Sequence, residues 1–300
     1  MKYLYIFVLV AAVACSKSES SPEDVNPDVN LQDAVEFQIS YMEPVRNVIQ
    51  NFISSISING NLLESQYDYT NYILPTYSTL PSWAYNSYLT PKYTSKAGDI
   101  NLKFIRSGQT VYDKTFNLKA GFYSIIVYDL EKLPLIIPQR SPFEASTWNF
   151  TDFKKGVDSV FAGMFVNLLY DGGGVPFSGK AKLQYRPYGA EKWSDASSII
   201  SFGQYSPFYV MHFDDNGYLV KPSDDDGVYS MYQRIDYRLV DEEGKALKRV
   251  MNRWPSDFTD YYQCRIGWVY LFFASGNLDG NNGNAQFCLW RLYKPNTSGF

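Results

Sequence analysis

Two short, almost unbroken apolar stretches constrain what this chain can fold into. Phe122-Tyr123-Ser124-Ile125-Ile126-Val127-Tyr128 follows Gly121, and Trp268-Val269-Tyr270-Leu271-Phe272-Phe273 follows Gly267. Runs of this length, rich in aromatic and β-branched residues, read as strands at the centre of a β-sandwich. Each run is preceded by a hairpin-like unit. In the first half, Ile100–Arg106 and Thr110–Leu118 flank Ser107-Gly108-Gln109; in the second, Asp236–Val240 and Lys245–Met251 flank Asp241-Glu242-Glu243-Gly244. The order strand, Gly turn, strand, Gly, aromatic strand therefore occurs twice. The spacing differs by several residues, so the repeat is degenerate.

Other segments extend the β reading. Val35, Phe37, Ile39 and Tyr41 alternate with Glu36, Gln38 and Ser40, the period-two pattern of a strand with one buried face. Asn59-Gly60 is a tight hairpin-turn signal. Val160–Leu169 and Ala181–Tyr185 flank Gly172-Gly173-Gly174 as further strands. One short helix is expected after Pro44, from the spacing of Val45, Val48, Ile49, Phe52 and Ile53. Pro134, Pro138 and Pro142 punctuate the middle of the chain, and no period is visible over 139–158, so the domain boundary is placed there. The expected fold is all-β: two tandem antiparallel β-sandwich domains, immunoglobulin- or transthyretin-like, over residues 35–140 and 159–300 with a linker at 141–158.

The N-terminus carries a separate signal. Met1-Lys2 precedes an uncharged stretch from Tyr3 to Ala14, and then comes Cys15. The stretch is shorter than the roughly 20 residues a bilayer-spanning helix needs, so residues 1–14 read as a signal peptide. Small residues before Cys15 resemble a bacterial lipoprotein signal, which implies lipidation of Cys15 and an outer-membrane lipoprotein. Ala12 stands where Leu is usual, and Ala12-Val13-Ala14 also reads as an ordinary cleavage site that would release a secreted chain. Residues 15–34, rich in Ser, Glu, Asp, Pro and Asn, form a tether between anchor and folded segment.

Phe116-Asn117-Leu118-Lys119-Ala120-Gly121-Phe122-Tyr123-Ser124-Ile125-Ile126-Val127, with Asn59-Gly60 and the Tyr-rich segment, resembles the DUF4397 type of Bacteroidetes lipoprotein domain. Phe165-Val166-Asn167-Leu168 resembles the start of a second copy. The resemblance is specific over 100–137. It implies a tandem β-sandwich lipoprotein of the cell envelope, with no catalytic activity and no cofactor.

Residue chemistry favours no enzyme class. His212 is the only histidine and sits in a strand-like segment, where a packed or surface role is expected. No GxSxG, P-loop, HExxH or GxGxxG motif occurs. Acidic and amide-rich turns at 214–217, 224–227 and 279–284 lack the register of a calcium loop and read as solvated turns, so no metal is expected. Paired carboxylates for glycoside hydrolysis have no fixed sequence spacing, so a hydrolase stays open. A net charge of −4 without a Lys/Arg cluster argues against a nucleic-acid partner.

The Tyr-rich stretch 67–93 holds Trp83, Tyr85 and Tyr88 among three prolines. These rings either cap the core or form a ligand surface for sugar stacking. Cys264 and Cys288 are expected to be unbridged. A hairpin centred on Gly280 would set Cys288 opposite Phe272, with Cys264 eight residues further along. The expected function is binding or surface assembly by a non-enzymatic cell-envelope lipoprotein. Alternatives are a glycan-binding lipoprotein of a polysaccharide-uptake system and a fimbrial or adhesin anchor subunit. The membrane would be the partner of the lipid, and a glycan or a surface protein that of the folded part.

Overall fold

In the computed structural model the described residues are 33–42, 53–64, 92–139, 160–172, 174–213, 218–220, 230–251, 254–265, 268–280 and 285–293. The helix expected after Pro44 falls almost wholly outside them, as do the linker, the tether and the signal segment. Among the described residues no helix is long and apolar enough to cross a membrane.

Eight strands make the first sandwich: β1 (Ala34–Tyr41), β2 (Ser55–Ile58), β3 (Asn61–Glu64), β4 (Lys92–Lys96), β5 (Gly98–Arg106), β6 (Gln109–Leu118), β7 (Gly121–Val127) and β8 (Leu135–Pro138). They form two sheets, β4-β1-β7-β8 and β3-β2-β5-β6. The tight turns behave as their sequences require. Asn59 and Gly60 (φ 50° and 86°) join β2 to β3, and Ser107 and Gly108 (φ 50° and 77°) join β5 to β6.

The second half adds β9 (Val160–Gly172), β10 (Val175–Pro176), β11 (Lys180–Pro187), β12 (Ser194–Asp195), β13 (Ile200–Ser201), β14 (Gln204–Tyr205), β15 (Tyr209–His212), β16 (Tyr218–Val220), β17 (Ser230–Val240), β18 (Lys248–Met251), β19 (Trp254–Asp257), β20 (Thr259–Arg265), β21 (Val269–Asn277) and β22 (Gln286–Tyr293). One sheet runs β10-β9-β21-β22 with β14 and β15 on β9; the other runs β12-β11-β17-β16 with β13 on β11 and β20 on β17.

The two halves share one plan. The opening strand lies parallel to the late apolar strand, β1 with β7 and β9 with β21, and that strand pairs antiparallel with the last, β7 with β8 and β21 with β22. In the facing sheets β2-β5-β6 corresponds to β11-β17-β20. The sandwiches are therefore mixed, each with one parallel pair, where all-antiparallel sheets were expected. This order departs from the immunoglobulin arrangement.

The degenerate repeat needs one adjustment. Lys245–Met251 does not run beside Asp236–Val240 throughout. Pairing starts at Val240 and Ala246 and continues from Leu247, then leaves the sheet as the β18–β19 hairpin, with Trp254 76% exposed near its tip. Phe258 donates to the Leu247 carbonyl at 2.8 Å, and β20 resumes along β17. The counterpart of β6 is thus β20, displaced in sequence by an inserted hairpin.

Side-chain alternation stacks the four sheets. Phe37, Ile39, Ile125 and Val127 face Ile58, Leu102, Phe104 and Tyr112 in the first core, and Phe161, Phe165, Tyr270 and Phe272 face Leu183, Tyr185, Ile235 and Tyr237 in the second. The remaining faces of β7, β8, β9 and β21 meet each other. Ile126 and Ile137 pack with Met164, Val166, Leu168, Leu271 and Phe273 in a third apolar cluster. β21 throughout, and β7 from Ser124 to Val127, are buried on two faces, which is why their sequences are continuous rather than alternating, while Phe122 at the start of β7 is exposed. The Tyr170 hydroxyl donates to the Tyr128 carbonyl across the same seam.

Candidate functional site

The outer face of the β12-β11-β17-β20 layer carries the most concentrated chemistry among the described residues. In β11 the inward residues are Ala181, Leu183 and Tyr185, so period two turns Lys182, Gln184 and Arg186 outward. In β17 Ile235, Tyr237 and Leu239 face in, leaving Arg234, Asp236 and Arg238 outward; in β20 Tyr262 and Cys264 face in, leaving Tyr261 and Gln263 outward. Register sets these side by side: Gln184 opposite Arg238, Arg186 opposite Asp236, and Asp236 opposite Tyr261.

The turn after β11 supplies two more rings. Tyr188 precedes Gly189 (φ 87°) and holds its backbone to the Arg234 carbonyl at 3.0 Å. Asp195 pairs with Gln184 in β12, so alternation puts Trp193 on the same face. The Trp193 ring lies 4.5 Å from the guanidinium carbons of both Arg186 and Arg238. Arg234 sits between two rings, 4.3 Å from Tyr188 and 3.9 Å from Tyr261. Tyr188 and Tyr261 are 59% and 55% exposed.

Polar contacts tie the rings into one network. Lys182 Nζ and Gln184 Nε2 donate to Asp195, Arg238 Nε donates to Gln184 Oε1 at 2.9 Å, and Arg234 Nε donates to Asp236 Oδ1 at 3.1 Å. Arg186 Nε forms a longer ion pair with Asp236 Oδ2 at 3.5 Å. Two guanidiniums, those of Arg186 and Arg234, thus converge on the Asp236 carboxylate. Burial, then the neighbouring Arg186 charge, lower the Arg238 pKa. Desolvation works against ionised Asp195, but the bonds from Gln184 and Lys182 prevail and hold its pKa below the usual carboxylate value.

The residues singled out in the sequence lie elsewhere. Cys15, Trp83, Tyr85 and Tyr88 fall outside the described residues, as do the turns at 214–217 and 224–227. His212 is an exposed residue of β15, its backbone N–H bonded to the Tyr185 hydroxyl. Among the described residues no group of three His, Cys, Asp or Glu is placed to hold a metal ion. Cys264 is a buried thiol 3.0 Å from the Tyr237 hydroxyl, whose pKa burial and then Cys264 push well above its usual value. The backbone of Cys288 pairs with Phe273, one residue from the expected Phe272, because the β21–β22 loop is centred half a residue beyond Gly280. The side chain of Cys288 is outside the described residues.

Sequence reasoning passed over the arginine and aromatic face, although its signal was present. Lys-Leu-Gln-Tyr-Arg at 182–186 and Arg-Ile-Asp-Tyr-Arg at 234–238 alternate apolar with long polar side chains.

Neither a protein-family model nor a curated protein matches the chain. Among solved structures, a leucine-rich repeat protein from Bacteroides thetaiotaomicron VPI-5482 aligns over 82% of this chain at 8% identity and a TM-score of 0.16. The chain spans about a quarter of that protein's length, 26%. A likeness at that level carries no argument about fold or function.

Proposed function

We propose that the protein is a non-enzymatic cell-envelope lipoprotein that binds a glycan through the outer face of the β12-β11-β17-β20 layer. Envelope location rests on the charged start, the short apolar run and Cys15. The glycan reading rests on one observation: three partly open rings, Tyr261 on β20 and Tyr188 and Trp193 on the segment after β11, brought onto one face with amide and charged groups between them. Rings of this kind stack on the apolar face of a sugar while neighbouring polar groups bond its hydroxyls. Tyr261 and the arginines stand on strands, and the bond from the Tyr188 N–H to the Arg234 carbonyl ties the turn to β17, so the face is pre-organised.

A glycan array probed with the mature chain tests this. Signal is expected for the wild type and is lost in a Trp193→Ala, Tyr188→Ala, Tyr261→Ala triple variant of unchanged circular dichroism. An array blank for the folded wild type would sink the reading. Fractionation of cells carrying Cys15→Ala, with release or misprocessing expected, checks the anchor.

Surface assembly is the second reading, favoured by β6. That ten-residue strand pairs only with β5 among the described residues, an arrangement open to strand addition. Exposed Asp113 at its centre blunts the edge.

A further inference from the structure

We infer that the arginine and aromatic face selects acidic polysaccharides, chains bearing carboxylate or sulfate groups, over neutral ones. The inference rests on the glycan-binding reading above and names its substrate class.

Donor count comes first. Among the described residues, Arg234 and Arg238 bond through Nε, and Arg186 forms its ion pair through Nε. The Nη groups of all three make no hydrogen bond within the face. A guanidinium carries five N–H donors in a planar fork, and the Nη edge matches the two oxygens of a carboxylate or sulfate. The side chains of Arg186 and Arg234 are 32% and 41% exposed, so these forks reach solvent.

Charge balance points the same way. Lys182 and Asp195 neutralise each other at one end, Arg186 and Arg234 share the single carboxylate of Asp236, and Arg238 bonds the neutral Gln184 amide, its acidic neighbour Asp257 being already paired with Lys248. The face is therefore locally positive on a chain of net charge −4. Two of those cations share the Trp193 ring, a crowding that a bound anion would relieve. The rings also hold the guanidinium planes in place, so little rotamer freedom is lost on binding. A neutral sugar would use the rings and leave the charge unanswered.

Affinity electrophoresis or titration calorimetry of the folded mature chain tests the inference with two matched pairs. Polygalacturonate is compared with its methyl ester, and dextran sulfate with dextran. The two acidic arms separate carboxylate from sulfate preference. Binding is expected for at least one acidic polymer and not for its neutral twin, weakening as salt rises. Arg234→Gln should weaken it about tenfold or more, as loss of charge-assisted hydrogen bonds does. Arg234→Lys, which keeps the charge but not the fork, should recover only part of the loss. Lys103→Gln, on the other outer sheet, should change nothing.

Equal binding of an acidic polymer and its neutral twin, insensitive to Arg234→Gln, overturns the inference and leaves glycan binding standing. No binding of any polysaccharide overturns both. A single-stranded oligonucleotide bound as tightly as the acidic polymer also overturns it, since the face would then answer to any polyanion.

Discussion

The outer sheets of the two sandwiches occupy equivalent places in one strand plan and carry opposite chemistry. On β5 and β6 the outward residues are short and mutually satisfied: Asn101 Nδ2 donates to Asp113 at 2.9 Å and to Thr115 at 3.1 Å, and Asn117 donates to Asp99. Lys103 pairs with Asp113, and Asn59 bridges to the Asn101 backbone and to Ser95. On β11, β17 and β20 the outward residues are long, cationic and ring-stacked, with donors left over. Inward positions of both sheets are apolar for the same reason, burial in a sandwich. Folding constrains the inward set and leaves the outward set open. The contrast between outward sets is therefore where function has room to differ.

Because the halves share the third apolar cluster, the comparison breaks most readily at the seam. Phe273→Ala removes a fully buried ring from it and should cost about 3–5 kcal/mol. Denaturant unfolding should show one shifted transition, with amide protection falling in β7 as well as in β21. Two transitions, with only one displaced, would show that the sandwiches stand alone. A smaller cost, about 1–3 kcal/mol, is expected for Gly163→Ala. A Cβ there would sit 2.4 Å from the Phe272 ring and 2.9 Å from the Met211 methyl, so both must shift. An unchanged denaturation midpoint would mean that the second core is looser than its packing indicates.

The two sandwiches differed in how far their sequences could be read. In the first, Val35–Tyr41 alternation, Asn59-Gly60 and Ser107-Gly108 each carry a local signal with a local cause, and each element stands close to where it was expected. The second sandwich hides its plan behind the β18–β19 insertion, whose first strand reads in the sequence as the hairpin partner of β17. Parallel pairing of β9 with β21 joins segments about 100 residues apart in sequence, and no local pattern encodes such a contact. The candidate face was illegible for a related reason. Its rings come from a turn and from strands distant in the chain, and only register brings Arg186, Asp236 and Tyr261 abreast.

Asp260 tests the alternation that builds the face. It lies between Thr259 and Tyr261 on β20 and faces the opposite way, where burial raises its pKa above the ordinary 3.8, against the pull of the Tyr261 N–H and Arg249. A raised carboxyl pKa means that the folded state holds the proton more tightly than the unfolded chain. Its contribution to stability is complete below about pH 3.8 and is lost as pH rises through the folded value. Asp260→Asn should therefore raise Tm at pH 7 and leave it unchanged at pH 3. An equal shift at both values would mean that ionisation is not the cause.

The smallest effect separates the two outer faces most directly. Asp236→Asn removes the carboxylate that Arg186 and Arg234 share and should cost about 1 kcal/mol, the scale of partly exposed ion pairs. Added salt should restore part of the loss, because what remains is repulsion between like charges. Asp113→Asn on the other sheet should leave Tm unchanged. Its partners Lys103 and Asn101 face solvent there, and an amide oxygen still accepts from Asn101. The same pair should diverge in binding. Without Asp236 the guanidiniums lose their internal competitor, so affinity for the acidic polymer should rise while stability falls. Asp113→Asn should move neither. A loss of both affinity and stability in Asp236→Asn would mean that the carboxylate is needed to aim the arginines, and that the face depends more on its geometry than on its charge.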